Sequence, residues 1–309
     1  MARALIPALL LCLLIVVSCA PQNEIAEPDA VVSASSEINE SWGWVVKAAS
    51  ANQELWNLVK QGSPTEAKLQ MNAMPVYLDE ADLLVEKAQK STIPSEKCSI
   101  AAIQGYTRYI RTAIDMNENM LNVLAEMAKL EVTTDLGEVG ITISEARKQA
   151  DGAKSELAKA KSQINSIDLN CTSSEMRVFI GVDKNQVRSV EKALDDLGAY
   201  LDATKVFVDS GQRFAKVVPA LESNKVDEAI VHIKGAIQLN NEAKQKFSSL
   251  TSSEFLEIAT TSVALKERIG IVGGAYLKFE EGLVALKQGN EQTAVALFEE
   301  ANAMLQGMQ

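Results

Sequence analysis

His232 is the only histidine in the 309-residue chain, so any imidazole chemistry must run through it. Glu228, four residues earlier, shares its helical face and could supply half of a metal site. Asp227 is adjacent in sequence but points elsewhere, and nothing nearby completes a ligand set. A surface or partly buried histidine is the expectation, with no metal and no cofactor. The chain carries no CxxC, CxxCH, HExxH or Gly-rich phosphate loop, and no GxSxG elbow. The adjacent acids Asp195-Asp196, Glu280-Glu281 and Glu299-Glu300 would diverge on a helix. Solvated helix faces explain them better than general acid–base work, and no catalytic residue is expected.

Of the four cysteines, Cys98 and Cys171 stand beside polar junctions in the body of the chain. A disulfide joining two segments is one expectation and a pair of free thiols the other. Trp42 and Trp56 share an apolar face and read as core. Trp44 lies off that face and is the better candidate for an exposed contact.

The N-terminus has a different character. Arg3 is the only charge in the first 23 residues, and residues 4–17 are uncharged. That is a short n-region and an h-region of signal-peptide length, too short for a comfortable span of about 20 apolar residues. Val16-Val17-Ser18-Cys19 follows. The stretch resembles the lipobox of bacterial lipoproteins. The resemblance implies removal of 1–18, diacylglycerol on the Cys19 thiol and acylation of the new N-terminus. Stable anchoring takes more than one acyl chain. Ala20, rather than Asp, implies the outer membrane if the cell has one.

Losing that leader would remove Arg3 and no acid, taking the formal charge of −11 one unit further negative. Such a surface repels nucleic acid and anionic headgroups, and neither is expected as a partner. Residues 19–35 mix Pro, Glu, Ser and small residues without a period and read as a flexible tether. From residue 36 on, Ala, Leu, Glu and Lys are abundant and aromatics are few, a helical composition.

One helix is expected over 36–61. A second runs to about Lys90, with a kink or break at Pro75. Ser95-Glu96 recurs as Ser174-Glu175 and Ser253-Glu254, at intervals of about 79 residues, each after a Ser/Thr-rich junction suited to an N-cap. Three copied units follow, at about 63–140, 141–220 and 221–309. Gly137 and Gly140 bracket a loop after the first. Each unit carries a long heptad-patterned helix. In the first the seam reads Ile100, Ile103, Thr107, Ile110, Ile114, Asn117, Leu121, Leu124 and Ala128. In the second it reads Phe179, Val182 and Gln186, then Val190, Ala193, Leu197, Tyr200, Thr204, Phe207 and Phe214, with Gly211 at the seam. In the third it runs Phe255, Ile258, Ser262, Leu265, Ile269, Val272, Tyr276, Phe279, Leu283 and Leu286.

At the C-terminus, Gly282, Ala294, Phe298 and Ala301 are spaced like the small and aromatic packing positions of a tetratricopeptide repeat, and 287–290 resembles its inter-helix turn. Ala229, Ile233 and Ala236, after Asn224, are a weaker echo. The resemblance implies a protein-binding helical scaffold. It makes Gly282, Ala294 and Phe298, beside Trp44, the candidate contact surface. The glycines 270, 273, 274 and 282 are expected where a neighbouring helix crosses tightly.

The expected fold is all-α: long antiparallel hairpins in three repeats, packed as a bundle or an elongated array, with a TPR-like end. The expected role is a membrane-anchored, non-enzymatic binding lipoprotein of the cell envelope, anchored through Cys19, with its body periplasmic or extracellular and a protein partner. The alternative is an envelope lipoprotein that holds a small molecule or polymer between long helices, lined by Thr107, Asn117, Gln186, Thr204 and Ser262.

Overall fold

A computed structural model describes residues 33–307 apart from 62, 131, 132, 134, 171, 254 and 255. Cys19, Cys171, Glu254 and Phe255 lie outside the described residues, as do the leader and most of the tether. Among the described residues the fold is all-α, with helices and no strand. The helices are α1 Ser35–Lys60, α2 Pro64–Ala88, α3 Pro94–Lys129, α4 Leu136–Asn165, α5 Ser174–Phe214, α6 Val217–Glu222, α7 Val226–Leu250, α8 Leu256–Lys287 and α9 Glu291–Gln306. None is long and apolar enough to cross a membrane.

The chain divides into two compact units: residues 33–122 with 149–195, and residues 123–148 with 196–307. In the first unit α1 packs on α2, and Ser41 Oγ, fully buried, donates to the Ala81 carbonyl at 2.9 Å. Its core holds Trp42, Leu55, Trp56, Met74, Leu78 and Ile103. Pro75 stands inside α2, which runs from Pro64 to Ala88 as one helix. Asn52, which interrupts the apolar face of α1 in the sequence, is itself buried and accepts a hydrogen bond from Asn117 Nδ2 of α3. A satisfied amide pair of this kind sets the register of two helices against their alternatives. Lys154 and Lys161 of α4 bridge to Asp195 and Glu191 of α5, an antiparallel register.

In the second unit α7 packs on α8 and α8 on α9. The inner side chains Val217, Ile233, Ala236, Val272, Tyr276, Phe279, Leu283 and Ala301 form one cluster. Two hydrogen bonds tie the neighbours of α7: Ser210 Oγ donates to the Ala236 carbonyl at 2.9 Å, and Asn240 Nδ2 to the Ile269 carbonyl at 3.0 Å. Asn224, at φ 57°, and Gly289, at φ 78°, turn the chain into α7 and α9. Asn290 caps α9, accepting from the Thr293 N–H at 3.3 Å.

Two expectations need correction. Gly137 and Gly140 do not bracket a loop but lie in the first turns of α4. Asp135 Oδ1 accepts from the N–H groups of Gly137 and Glu138 at 2.7 and 2.9 Å, and this cap starts the helix despite the glycines. The seam of α3 also differs. Ile100, Ile103, Thr107, Ile110 and Asn117 are buried, but Ile114, Leu121 and Leu124 are half-buried and Ala128 is exposed. The unbroken buried series is Ala102, Tyr106, Tyr109, Ala113, Met116, Met120, Val123, Met127 and Leu130. In α5 the early seam likewise runs through Met176, Ile180, Asp183 and Val187, while Phe179, Val182 and Gln186 are half-buried.

Further along, α5 and α8 share one pattern. Val190, Ala193, Leu197, Tyr200 and Thr204 are buried, and so are Ile269, Val272, Tyr276, Phe279 and Leu283, about 79 residues on.

Candidate functional site

The first unit holds one buried ionisable cluster. Tyr106 Oη donates to Asp183 Oδ2 at 2.6 Å, and Tyr109 hydrogen-bonds the same carboxyl group. Trp42 and Phe179 close over Tyr106 at ring separations of 5.8 and 6.0 Å, and Tyr109 stacks on it at 5.4 Å. Asp183 is only 5% exposed, and no cation is bonded to it among the described residues. Burial therefore pushes its carboxyl up to about 6, against the opposing pull of the two tyrosine hydrogen bonds. Burial, and then Asp183, drive both tyrosines well above their ordinary range. The sequence reading missed this cluster. The one signal was that Asp183 sits between Ile180 and Val187 at helical spacing. Neither of the two grooves described below is lined by any of its residues.

His232 lies in the second unit, on the wall of an open groove of about 840 Å³ shared with Asp135, Gln212, Lys216 and Lys225. Its Nε2 is 3.7 Å from Glu228 Oε1, and its buried Nδ1 has no hydrogen-bond partner. Glu228 also pairs with Lys225 at 3.2 Å, and that lysine, ahead of His232, holds its carboxyl below the usual range. Among the described residues no group of three or more His, Cys, Asp or Glu could hold a metal ion. Five of the six adjacent acids are engaged. Asp195 bridges to Lys154, Asp196 accepts from Ser253, Glu280 lies 3.7 Å from Lys234, and Lys278 joins Glu281 and Glu300.

The proposed contact residues sit elsewhere than expected. Gly282 is buried, Ala294 is 1% exposed and Phe298 is half-buried against the core. They are not a contact surface but the joint between α8 and α9. A Cβ on Gly282 would stand 2.5 Å from the Phe298 ring, one on Gly274 2.7 Å from Met304 Cε, and one on Gly273 2.7 Å from Asn240 Nδ2. These three glycines mark close approach, as expected. Gly270 instead opens onto a groove of about 740 Å³, lined by Lys244, Val263, Lys266, Glu267, Ile271 and Met304. Trp44 is half-buried, stacked on Tyr77 at 5.9 Å with Lys47 Nζ 3.7 Å above its ring. Trp42 and Trp56 are core. Of the polar seam residues, Thr107, Asn117, Thr204 and Ser262 are buried, and Thr204 bonds the Tyr200 carbonyl. They are interior groups of packed helices.

Cys98 is disulfide-bonded. Cys171, the proposed partner, lies outside the described residues.

The outer side of α8 is open to solvent. Its inner seam, Ile258 through Leu283, is buried. Yet Val263, Ile271, Leu277 and Val284 are 39–49% exposed, and Val295 of α9 is 54% exposed. α8 is thus apolar on two sides, whereas a surface helix ordinarily keeps one. Comparison with protein-family profiles, with curated proteins and with solved structures found no match.

Proposed function

We propose that the protein is a non-enzymatic, lipid-anchored binding protein of the cell envelope. Its body is built from related helix pairs, and it acts by contacting another protein. The anchor is Cys19, at the end of the lipobox-like stretch. The kinship of the later pairs is supported by the matched burial in α5 and α8. The observation that carries the reading is the outer side of α8. Exposed apolar side chains along a helix whose other side is already covered are what a partner helix or groove would bury. Cys98 and Cys171 would form the bond that ties two segments together.

The reading makes two expectations, one for the anchor and one for the face. Cys19→Ala should move the protein from the membrane to the soluble fraction, since the second acyl signal goes with the thiol. Unchanged membrane retention would rule out the anchor. Leu277→Asp with Val284→Asp should leave folding intact, because both residues are already partly exposed, while removing whatever protein co-purifies from solubilised membranes. Co-purification that survives the double substitution would separate the partner from this face.

A further inference from the structure

α9 sits on α8 along a row of residues four apart, one ridge of the helix surface. Gly282 lies against Phe298, Lys278 pairs with Glu300 at 3.1 Å, and Gly274 lies against Met304. α9 ends at Gln306. The row goes on without it, to Gly270 and then Lys266. There the groove of about 740 Å³ opens, with Met304 at the end nearest α9. Val263 and Ile271, 44% and 42% exposed, line it. From α7, Lys244 Nζ reaches to 3.6 Å from where a Cβ on Gly270 would stand. Neither Lys244 nor Lys266 makes an ion pair among the described residues.

We infer, resting on the contact role proposed for α8, that this groove seats a helix of the partner protein. That helix lies on α8 in line with α9 and sets a carboxylate against Lys266 and Lys244. Continuity is the first reason. The row that holds α9 runs unbroken along one helix into the groove, so the surface that accepts one helix extends past the end of it. From Leu256 to Ile271, α8 offers about 24 Å, room for about four helical turns. Charge is the second reason. Where α9 covers the row, the lysine on it, Lys278, is met by a carboxylate, Glu300. Lys266 stands on the same row three steps of four away and has no such partner. Glu267, the one acid among the described lining residues, is about 100° round the helix from Lys266. It lies towards the opposite rim and leaves both lysines to the occupant. Apolar anchors on Val263 and Ile271, with a carboxylate beside them, are what an amphipathic acidic helix supplies in a groove.

A photo-crosslinking residue at Ile271 of the full chain, activated in intact cells, tests this beside the same residue at Leu277. One protein adduct is expected at both positions. Lys266→Glu should cut the Ile271 adduct at least about tenfold, since it turns an attraction into a repulsion. Lys266→Arg should leave it unchanged, and Gly270→Leu, which fills the seat, should abolish it. These positions are partly exposed, and an unchanged circular dichroism melt will show that the variants fold. Mass spectrometry of the adduct identifies the partner segment joined to Ile271. Exchanging its acidic residue for lysine should restore the adduct to the Lys266→Glu chain. An adduct indifferent to Lys266→Glu overturns the inference. So does one that the charge exchange fails to restore, or a cross-link from Ile271 to another part of this chain. An adduct at Leu277 with none at Ile271 overturns the helix seat and leaves the contact role standing. No adduct at either position overturns both.

Discussion

Asp183→Asn should stabilise the protein at pH 8 and do progressively less as the pH falls towards 4. The carboxyl is buried among Tyr106, Tyr109 and the early seam of α5, and its folded value is raised from 3.8 to about 6. Between those values the folded chain holds a proton that the unfolded chain releases. Folded stability therefore falls as pH rises through that window, then levels off above it. A shift of about two units corresponds to about 3 kcal/mol. The asparagine cannot ionise and escapes that loss. Its carbonyl can accept from Tyr106, but its amide gains an unpaired N–H that takes back about 1–2 kcal/mol. The magnitude at one pH is thus a difference of two terms, while the slope depends on one. Urea unfolding of both chains at pH 4 to 8 should show wild-type stability dropping by about 3 kcal/mol relative to the variant over that range. Parallel curves would show that Asp183 does not titrate in the fold. A relative gain with pH would mean that a cation stabilises it.

Gly282→Ala should destabilise the protein, although alanine is the better helix former. Helix propensity alone favours the substitution by about 1 kcal/mol. Against that, the new Cβ would stand 2.5 Å from Phe298 Cε1 and 2.8 Å from Cδ1. The ring cannot swing away freely, because it packs on Phe279 at 5.6 Å and on the core cluster of the second unit. Overpacking of this kind costs about 1–3 kcal/mol. We expect a net loss of up to about 2 kcal/mol, concentrated in the docking of α9. Phe298→Leu removes the ring atoms in the way. In the double variant the alanine should then be neutral or favourable, giving a coupling of at least about 1 kcal/mol in a double-mutant cycle. Additive effects would mean that the two side chains do not meet. A Gly282→Ala chain as stable as wild type would mean the glycine serves no packing purpose.

Some of this was readable from the residues and some was not, for physical reasons. The seam of α8 holds at every described position from Ile258 to Leu283, because few alternative apolar series compete with it at that spacing. The start of α9 was equally plain, since Gly289 and Asn290 leave little choice. In α3 two interleaved series, one through Ile103 and one through Tyr106, are both apolar at heptad spacing. Neighbouring helices decide which is covered, and pattern alone cannot. Asn52 reads as an interruption of the apolar face of α1, and Asp183 was not singled out at all. They lie inside because Tyr106, Tyr109 and Asn117 supply their hydrogen bonds, and those partners come from distant segments. Gly282, Ala294 and Phe298 were correctly grouped, but assigned to the surface. Small and aromatic residues at helical spacing mark a close contact without saying whether its other side is another molecule or the next helix.

The proposed role rests on the outer side of α8 making contact with another protein. A photo-crosslinking residue at Leu277, activated in intact cells, addresses that directly when compared with the same residue at the exposed Lys159 of α4. The account predicts one discrete protein adduct at Leu277, present in membranes and lost when Val284→Asp is added, with none at Lys159. Equal diffuse labelling at both positions, or no adduct at Leu277, would contradict it.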